Sequence, residues 1–165
     1  MTTNNKEVFE RIYQQNQGMV LQMCLGFVKG DEDSANDLSQ EVFISVWNNL
    51  HKFKGLSSYK TWIYRITVNT CLQFVKKENK KGEIRTQEFK EVVEETQDEA
   101  SHKNPISDLY KAIGQLKKVD RLLIMMVLEN EDNDTIAEIM GISAINVRVK
   151  IHRVKKRLEK ILKNI

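Results

Sequence analysis

The sequence predicts an all-α protein with two small helical domains joined by a flexible linker. Its 165 residues include only 7 Gly and 1 Pro. They are rich in Lys, Glu, Leu and Ile, which favour helix because straight-chain residues lose little rotamer freedom there. Apolar residues recur at helical spacing in two blocks, separated by a segment poor in them. The predicted boundaries are residues 1–77, 78–107 for the linker, and 108–165.

The first block is predicted to hold three helices. The first covers about residues 7–28, and Lys29 and Gly30 end it. The second begins in the acidic "DEDSAND" and extends to about residue 50, and the third covers about residues 58–77. On a helical wheel, the second helix has an inner apolar stripe made of Ala35, Leu38, Val42, Phe43, Val46, Trp47 and Leu50.

The outer face of the second helix carries one apolar side chain among polar ones. Ile44 shares this face with Asp37, Gln40, Glu41 and Asn48. Single exposed apolar residues are common on solvated surfaces. An apolar residue ringed by polar ones is also typical of a protein-docking face. Both interpretations remain open from the pattern alone.

The third helix is apolar around most of its circumference and has a narrow polar seam. This base-contact row consists of Trp62, Arg65, Asn69, Gln73 and Lys76. A cation, amides that can hydrogen-bond a base edge, and a nearby aromatic ring suit unstacked nucleic acid. The alternative is a buried helix with one wet edge.

The segment between the blocks is predicted to be a flexible linker. It is too poor in apolar residues to offset the entropy of ordering, although a short helix is expected near residues 89–93. Each flanking block is therefore expected to form its own small core.

The second block is predicted to end in a helix-turn-helix. Two helices come first, with Leu122, Met125, Met126 and Leu128 as core candidates. A further helix, a tight turn at Gly141 and a helix capped by Ser143 follow. Residues 109–165 carry 12 basic and 7 acidic side chains, an imbalance that indicates an anionic partner.

The last helix has an inward apolar stripe and an outward mixed face. Val147, Ile151, Val154 and Leu158 are predicted to point into the core. The outward set is Ile145, Asn146, Arg148, Val149, His152, Arg153 and Lys156. Arg and Asn can read base edges in a major groove, and apolar groups can meet thymine methyls. A membrane-surface helix fits less well because the core needs the apolar face, whereas a merely solvated basic face stays open.

Two stretches of the chain together resemble one known family. "SANDLSQEVFISVWNNLHKF" and "YKTWIYRITVN" are similar to region 2 of the extracytoplasmic-function (ECF) sigma factors, and "IAEIMGISAINVRVKIHRVKKRL" is similar to their region 4. The resemblance extends over residues 9–162. It implies a three- to four-helix bundle and a helix-turn-helix domain, in a protein that binds core RNA polymerase, directs it to promoters and opens the DNA.

The resemblance also implies roles for particular residues. It implies polymerase docking by Asp37, Gln40 and Glu41, with Ile44 on the same face. Arg65 and Asn69 match the segment that captures the melted -10 element, and Trp62, Gln73 and Lys76 belong to the same row. The outward face of the last helix matches the part that reads the -35 duplex, through Ser143, Asn146, Arg148, Val149, His152 and Arg153.

Two departures from the family pattern affect these expectations. The acidic residues within 129–134 replace a Gly-containing loop and would repel phosphate if they faced DNA. Gln73, Lys76 and Lys77 stand where the family often has Asp and then arginines, and Lys lacks the bidentate geometry of Arg. We therefore expect the affinity for the -35 element and the base preference at the -10 element to differ from those of the family pattern.

Other function classes fit the sequence less well. His51, His102 and His152 are scattered, and the sequence shows no carboxylate-histidine cluster and no glycine-rich phosphate loop. We therefore predict that the protein is not an enzyme and binds no cofactor. Cys24 and Cys71 are interpreted as buried thiols of a cytoplasmic protein that does not insert into membranes. The resemblance implies control by an anti-sigma factor, often membrane-anchored. The rival is a dimeric operator-binding regulator, for which no obvious dimerisation element is present.

Overall fold

The computed structural model describes residues 3–88 and 105–165, with side chains for 3–80 and 105–165. Within these ranges the fold is all-α, as predicted, with seven α-helices and one 3-10 turn. The N-terminal domain contains α1 (Thr3–Phe27), α2 (Glu32–Asn49), the 3-10 turn Leu50–Lys52 and α3 (Tyr59–Glu88). The C-terminal domain contains α4 (Pro105–Gly114), α5 (Lys118–Leu128), α6 (Asn133–Met140) and α7 (Ala144–Lys163).

The three long N-terminal helices pack around one apolar centre. Val20 of α1, Val42 of α2 and Ile63 of α3 are completely buried there. Burying one such aliphatic side chain contributes about 1.5–3 kcal/mol. Lys29 (φ 62°) and Gly30 (φ 85°) adopt the left-handed conformation that ends α1, as the sequence predicts.

The helix-turn-helix has capped ends and a tight turn. The backbone N–H of Thr135 donates to Asp132 Oδ1 at 2.7 Å, and this hydrogen bond lowers the pKa of the Asp132 carboxyl. Gly141 takes φ 68° after α6. The Asn146 N–H donates to Ser143 Oγ at 3.2 Å, at the start of α7. These local signals set the direction in which α7 leaves the turn.

The two domains share a continuous core, so the prediction of two separate cores is wrong. Helix α1 packs on α4 and α5, and α3 packs on α6. A Cβ added at Gly26 would clash with Met125 Sδ, so glycine permits the close approach of α1 and α5. The Arg121 guanidinium donates to Phe27 O at 3.1 Å and Gly114 O at 2.7 Å. Each small bundle has apolar surface left over, and pressing the domains together removes it from water.

Three further details differ from the sequence prediction or extend it. Helix α3 continues to Glu88, beyond the predicted end at Lys77. Trp47 is 39% exposed and Leu128 is 46% exposed, although both were predicted to be in the core. Trp47 borders an open groove, and Leu128 is the last residue of α5. The helix predicted near 89–93 lies outside the described residues.

Among the described helices, none combines the length and apolar character needed to cross a bilayer.

Candidate functional site

An apolar groove runs between α1 and α2 and continues onto the outer face of α2. Asp37, Gln40 and Glu41 are exposed on that face, and Ile44 is 60% exposed. The groove has a volume of about 410 Å³ and is lined by Phe9, Tyr13, Ser39, Gln40, Phe43, Ile44 and Trp47. The four residues predicted for docking are therefore on one surface, and Gln40 and Ile44 form part of the groove wall.

Aromatic side chains from α1 form the far wall of this groove. The ring centroids of Phe9 and Trp47 are 5.2 Å apart, and those of Tyr13 and Phe43 are 4.7 Å apart, both edge-to-face. The sequence analysis missed this wall because it placed Trp47 in the core and could not show which side chains of α1 lie beside it. The spacing of Ile44 and Trp47, three residues apart on α2, was the available signal.

A second, more polar cleft separates α2 and the 3-10 turn from α3. Its volume is about 330 Å³, and its lining is Ser45, Asn49, Lys52, Trp62, Ile66, Asn69, Thr70 and Gln73. Three members of the base-contact row, Trp62, Asn69 and Gln73, therefore face one cavity. The ring centroids of Trp62 and Phe53 are 5.2 Å apart, which adds a second aromatic ring beside the cleft.

The opposite wall of this cleft comes from residues that sequence reasoning missed. The Asn49 Nδ2 donates to Ser45 O at 2.8 Å, and this bond fixes the amide at the end of α2. Lys52 adds a cation from the 3-10 turn. These residues lie on a different helix from the row, so no periodicity along α3 could reveal them.

The remaining two members of the row lie elsewhere. Lys76 is exposed and does not line the cleft. The Arg65 Nη2 lies 2.9 Å from Glu138 Oε1 of α6, in the other domain. Three members of the row thus face the cleft, Lys76 faces solvent, and Arg65 pairs with the C-terminal domain.

The acidic segment of the C-terminal domain also faces α3. The Lys60 Nζ lies 2.7 Å from Glu131 Oε1, and the Tyr64 hydroxyl donates to the same oxygen at 3.2 Å. Burial, and then the charge of Glu131, raise the pKa of the Tyr64 hydroxyl. Glu131, which would repel DNA phosphates if it faced them, is paired with the N-terminal domain in this structure.

Helix α7 presents its predicted outer face to solvent. Ile145 is 71% exposed and Val149 is 42% exposed, and Arg148 and His152 are exposed as well. Val147 and Val154 are buried on the opposite side, as predicted. Ser143 stands at the end of this face, where its oxygen accepts the capping hydrogen bond.

A basic cleft lies along the edge of α7 that faces α5. It has a volume of about 270 Å³ and is lined by Lys117, Asp120, Lys150, Arg153, Val154 and Arg157. Arg153 therefore lies beside α5, at the edge of the predicted reading face. The residues predicted to contact the -35 element did not include Lys117, Lys150 or Arg157. Lys150, Arg153 and Arg157 nevertheless recur at helical spacing.

Within the described residues, no group of three or more His, Cys, Asp or Glu side chains is arranged to hold a metal ion. Cys24 and Cys71 are both buried. A hydrogen bond with Cys24, together with burial, raises the pKa of the Cys71 thiol. These thiols are core groups, in agreement with the prediction of buried thiols.

Comparisons with known proteins match both domains. Residues 12–81 match the family model of sigma-70 region 2, and residues 106–158 match that of sigma-70 region 4. The ECF RNA polymerase sigma factor SigX of Bacillus subtilis is 26% identical over 164 residues, which cover 94% of this chain and 84% of SigX. The chain belongs to the ECF sigma factors of the sigma-70 family.

Other relatives of this sigma factor agree with the assignment. RNA polymerase sigma factor YlaC of Bacillus subtilis is 27% identical over 133 residues, which cover 78% of this chain and 77% of YlaC. The sigma factor RpoE of Bartonella quintana, solved with the anti-sigma factor NepR, matches with a TM-score of 0.77 at 20% identity, over 95% of this chain and 98% of RpoE. CnrH, solved with the cytosolic domain of CnrY, matches with a TM-score of 0.67 at 18% identity, over 96% of this chain and 90% of CnrH. These two likenesses concern the fold.

Family membership establishes the general activity of this sigma factor. It is an RNA polymerase sigma factor that directs transcription initiation, and sigma factors are non-enzymatic subunits of the polymerase. This result decides against the alternative of a dimeric operator-binding regulator. Helix α2 and most of α3 lie in region 2, and α6 and most of α7 lie in region 4.

Proposed function

We propose that this sigma factor divides promoter recognition among three surfaces: the α2 face, the cleft between α2 and α3, and the outer face of α7. The observation that carries the proposal is the adjacency of the first two. A further cavity of about 280 Å³ is lined by Glu41 and Ile44 of the docking face and by Asn49 and Gln73 of the cleft. Polymerase docked on α2 would thus hold melted DNA beside the cleft.

The α2 face would dock on core RNA polymerase. Asp37 and Glu41 supply negative charge, Gln40 a hydrogen-bonding amide, and Ile44 an exposed apolar anchor next to the aromatic groove. Burying apolar and aromatic groups at the centre of an interface supplies affinity, and the flanking charges select the partner. By the family resemblance, that partner is the clamp coiled coil of the largest polymerase subunit.

The cleft between α2 and α3 would capture an unstacked base of the -10 element. Trp62 offers a ring face on which a base can stack, and such stacking contributes about 1–3 kcal/mol. Unstacking the base costs a few kcal/mol, which is of the same order. The amides of Asn69 and Gln73 would add hydrogen bonds to the base edge, and Lys52 and Lys76 would attract phosphates.

The outer face of α7 would read the -35 element in the major groove. Asn146 and Arg148 can hydrogen-bond base edges, and Ile145 and Val149 can contact thymine methyls. His152 belongs to the same face. The basic cleft containing Lys150 and Arg153 would position the duplex through its phosphates, as would Ser143 at the helix start.

The base-capture assignment can be tested by removing the two amides of the cleft. Run-off transcription with purified core polymerase on a promoter library identifies a promoter for the parent chain. The change Asn69→Ala with Gln73→Ala should then reduce promoter melting about tenfold, because roughly 1.4 kcal/mol of base contact is lost. Fluorescence of 2-aminopurine in the -10 element measures this melting.

The matched control removes two exposed amides from α1 by Gln14→Ala with Gln17→Ala. This control should melt the promoter like the parent. Normal melting by the cleft variant would show that the cleft does not capture the base. The absence of promoter-specific transcripts from any promoter with the parent chain would overturn the wider division of labour.

Regulation by an anti-sigma factor is a further part of the proposal. RpoE and CnrH, which share this fold, were solved with NepR and with the cytosolic domain of CnrY. By analogy, an anti-sigma factor, membrane-anchored or not, would restrain this chain in the cytoplasm. The segment that connects α3 to α4, which is shorter than the predicted linker 78–107, would let the two domains separate once the sigma factor is released.

A further inference from the structure

The loop between the 3-10 turn and α3 carries the most exposed large apolar side chain in the described part of the chain. Leu56 is 88% exposed, more than Ile44 or Ile145. Single exposed apolar residues are common on protein surfaces, so the surroundings of Leu56 decide whether it has a function. Three features of these surroundings point to DNA: the rigid base of the loop, its position and its charge.

The base of the loop is held in place on both sides of Leu56. The rings of Phe53 and Tyr59, which precede and follow it, are stacked with their centroids 4.2 Å apart. The Ser58 hydroxyl oxygen accepts a backbone hydrogen bond of 3.1 Å at the start of α3. Gly55 takes φ 70°, which lets the chain turn sharply before Leu56. The loop therefore presents Leu56 to solvent from a fixed base.

The loop adjoins the cleft between α2 and α3. The ring centroid of Phe53 lies 5.2 Å from that of Trp62, which lines the cleft. Three residues of chain extend over at most about 11 Å, so the Cα atom of Leu56 lies within that distance of the Phe53 Cα. Since stacked bases are 3.4 Å apart, Leu56 lies within about five base pairs of a base that stacks on Trp62.

The charge around the loop suits phosphates. No Asp or Glu occurs from residue 42 to residue 77. Lys52 and Lys54 are exposed next to the loop, and within the described residues neither is paired with a carboxylate. Lys60, on the other side, is paired with Glu131. An exposed leucine flanked by free cations is complementary to DNA, in which apolar base faces lie between phosphates.

We infer that Leu56 is a wedge that inserts between stacked bases beside the cleft and so starts the melting of the -10 element. This inference rests on the proposed base capture between α2 and α3. Leucine is one of the side chains that unstack a base step when they are inserted into it. The separated bases cover the apolar surface of Leu56, while Lys52 and Lys54 hold the flanking phosphates. A neighbouring base that stacks on Trp62 then prevents the step from closing again.

The inference predicts that Leu56 matters only where stacked bases must be separated. With core polymerase, Leu56→Ala should reduce melting of a duplex promoter about tenfold, because a methyl group does not reach between two bases. Fluorescence of 2-aminopurine in the -10 element measures this melting. On a promoter whose -10 region is already unpaired by mismatches, the same variant should bind like the parent. Leu56→Met should melt the duplex to within about twofold of the parent, because methionine also unstacks bases.

The matched control is Leu162→Ala, which truncates a leucine of α7 that is 40% exposed. It should melt the duplex promoter like the parent. Circular dichroism should give equal helix content for all variants, because Leu56 is too exposed to support packing. Parental melting of the duplex by Leu56→Ala would overturn the inference. An equal loss on duplex and mismatched promoters would also overturn it, because Leu56 would then be a binding contact and not a wedge.

The mismatched promoter also separates this inference from the proposed base capture. The variant Asn69→Ala with Gln73→Ala should bind both the duplex and the mismatched promoter more weakly, because the captured base is needed on both. Parental binding of the mismatched promoter by that variant would reject base capture by the two amides. A loss by Leu56→Ala that is confined to the duplex would still support the wedge.

Discussion

The outer faces of α2 and α7 both carry exposed aliphatic side chains among polar residues. Ile44 on α2 is 60% exposed, and Ile145 on α7 is 71% exposed. Their neighbours differ in charge, because Asp37 and Glu41 flank Ile44, whereas Arg148 is exposed on the face of Ile145. Exposed apolar area alone therefore does not distinguish the partners of the two helices. The sign of the surrounding charge makes α2 suited to a protein and α7 suited to DNA.

The two faces also differ in what surrounds them. Helix α2 borders an aromatic groove of about 410 Å³, in which a partner side chain can be buried. Helix α7 is bordered by a basic cleft whose residues suit phosphates. The proposed docking face thus offers apolar volume to a partner, whereas the proposed DNA face offers cations at its edge.

The largest expected effect comes from reversing the charge of the α2 face. The variant Asp37→Lys with Glu41→Lys should bind core polymerase about 100-fold more weakly, equivalent to about 2.8 kcal/mol. The reason is that cations replace the acids proposed to select the polymerase. Competition binding against the parent chain measures the affinity, and binding of a -35 duplex should not fall.

The control for this variant reverses a single exposed acid away from the α2 face, by Glu159→Lys on α7. It should leave polymerase affinity unchanged. An α2 variant that bound polymerase as tightly as the parent would show that the two faces do not differ in the proposed way.

A smaller effect is expected from Arg148 on the DNA side of the comparison. Arg148→Ala should weaken binding of the cognate -35 duplex by about 1–3 kcal/mol if its guanidinium reads a base. Fluorescence anisotropy of the holoenzyme on cognate and scrambled -35 sequences measures the loss. Lys163→Ala, near the end of the same helix, is the control. An equal loss on both sequences would assign Arg148 to phosphate contact.

The smallest effect concerns how the two helices begin. The Ser143 oxygen caps α7, whereas Asp31, within the described residues, makes no side-chain cap to α2 and accepts from the Ser34 hydroxyl at 2.9 Å. Ser143→Ala should therefore reduce the free energy of unfolding by about 1 kcal/mol. Asp31→Ala should cost less than about half of that. Urea unfolding measures both, and equal losses would contradict this difference in capping.

Much of the fold could be predicted because its signals are local. Gly141 after a short apolar-patterned helix, and Ser143 before the next, marked the helix-turn-helix. The same periodicity identified Ile44 as exposed and Val42 as buried on α2. Trp47 was misplaced because a helical wheel gives direction but does not show whether a neighbouring helix covers that direction.

The sites could be predicted only in part, because periodicity describes one helix at a time. The row on α3 could be recognised from its spacing, but the opposite wall with Asn49 and Lys52 could not. A cleft is formed by two elements, and the registration of one helix against another is not encoded in the periodicity of either. The aromatic wall supplied by Phe9 was missed on the same grounds.

By itself, the sequence determined the helices, their caps, the charge of each outer face and the resemblance to ECF sigma factors. All of these depend on residues within a few turns of one another or on patterns within one element. Only the tertiary structure decided that the two cores join and that Arg65 meets Glu138, which is 73 residues away. Such a contact depends on how two helical domains pack, and that packing reflects the total apolar and polar surface that both can bury.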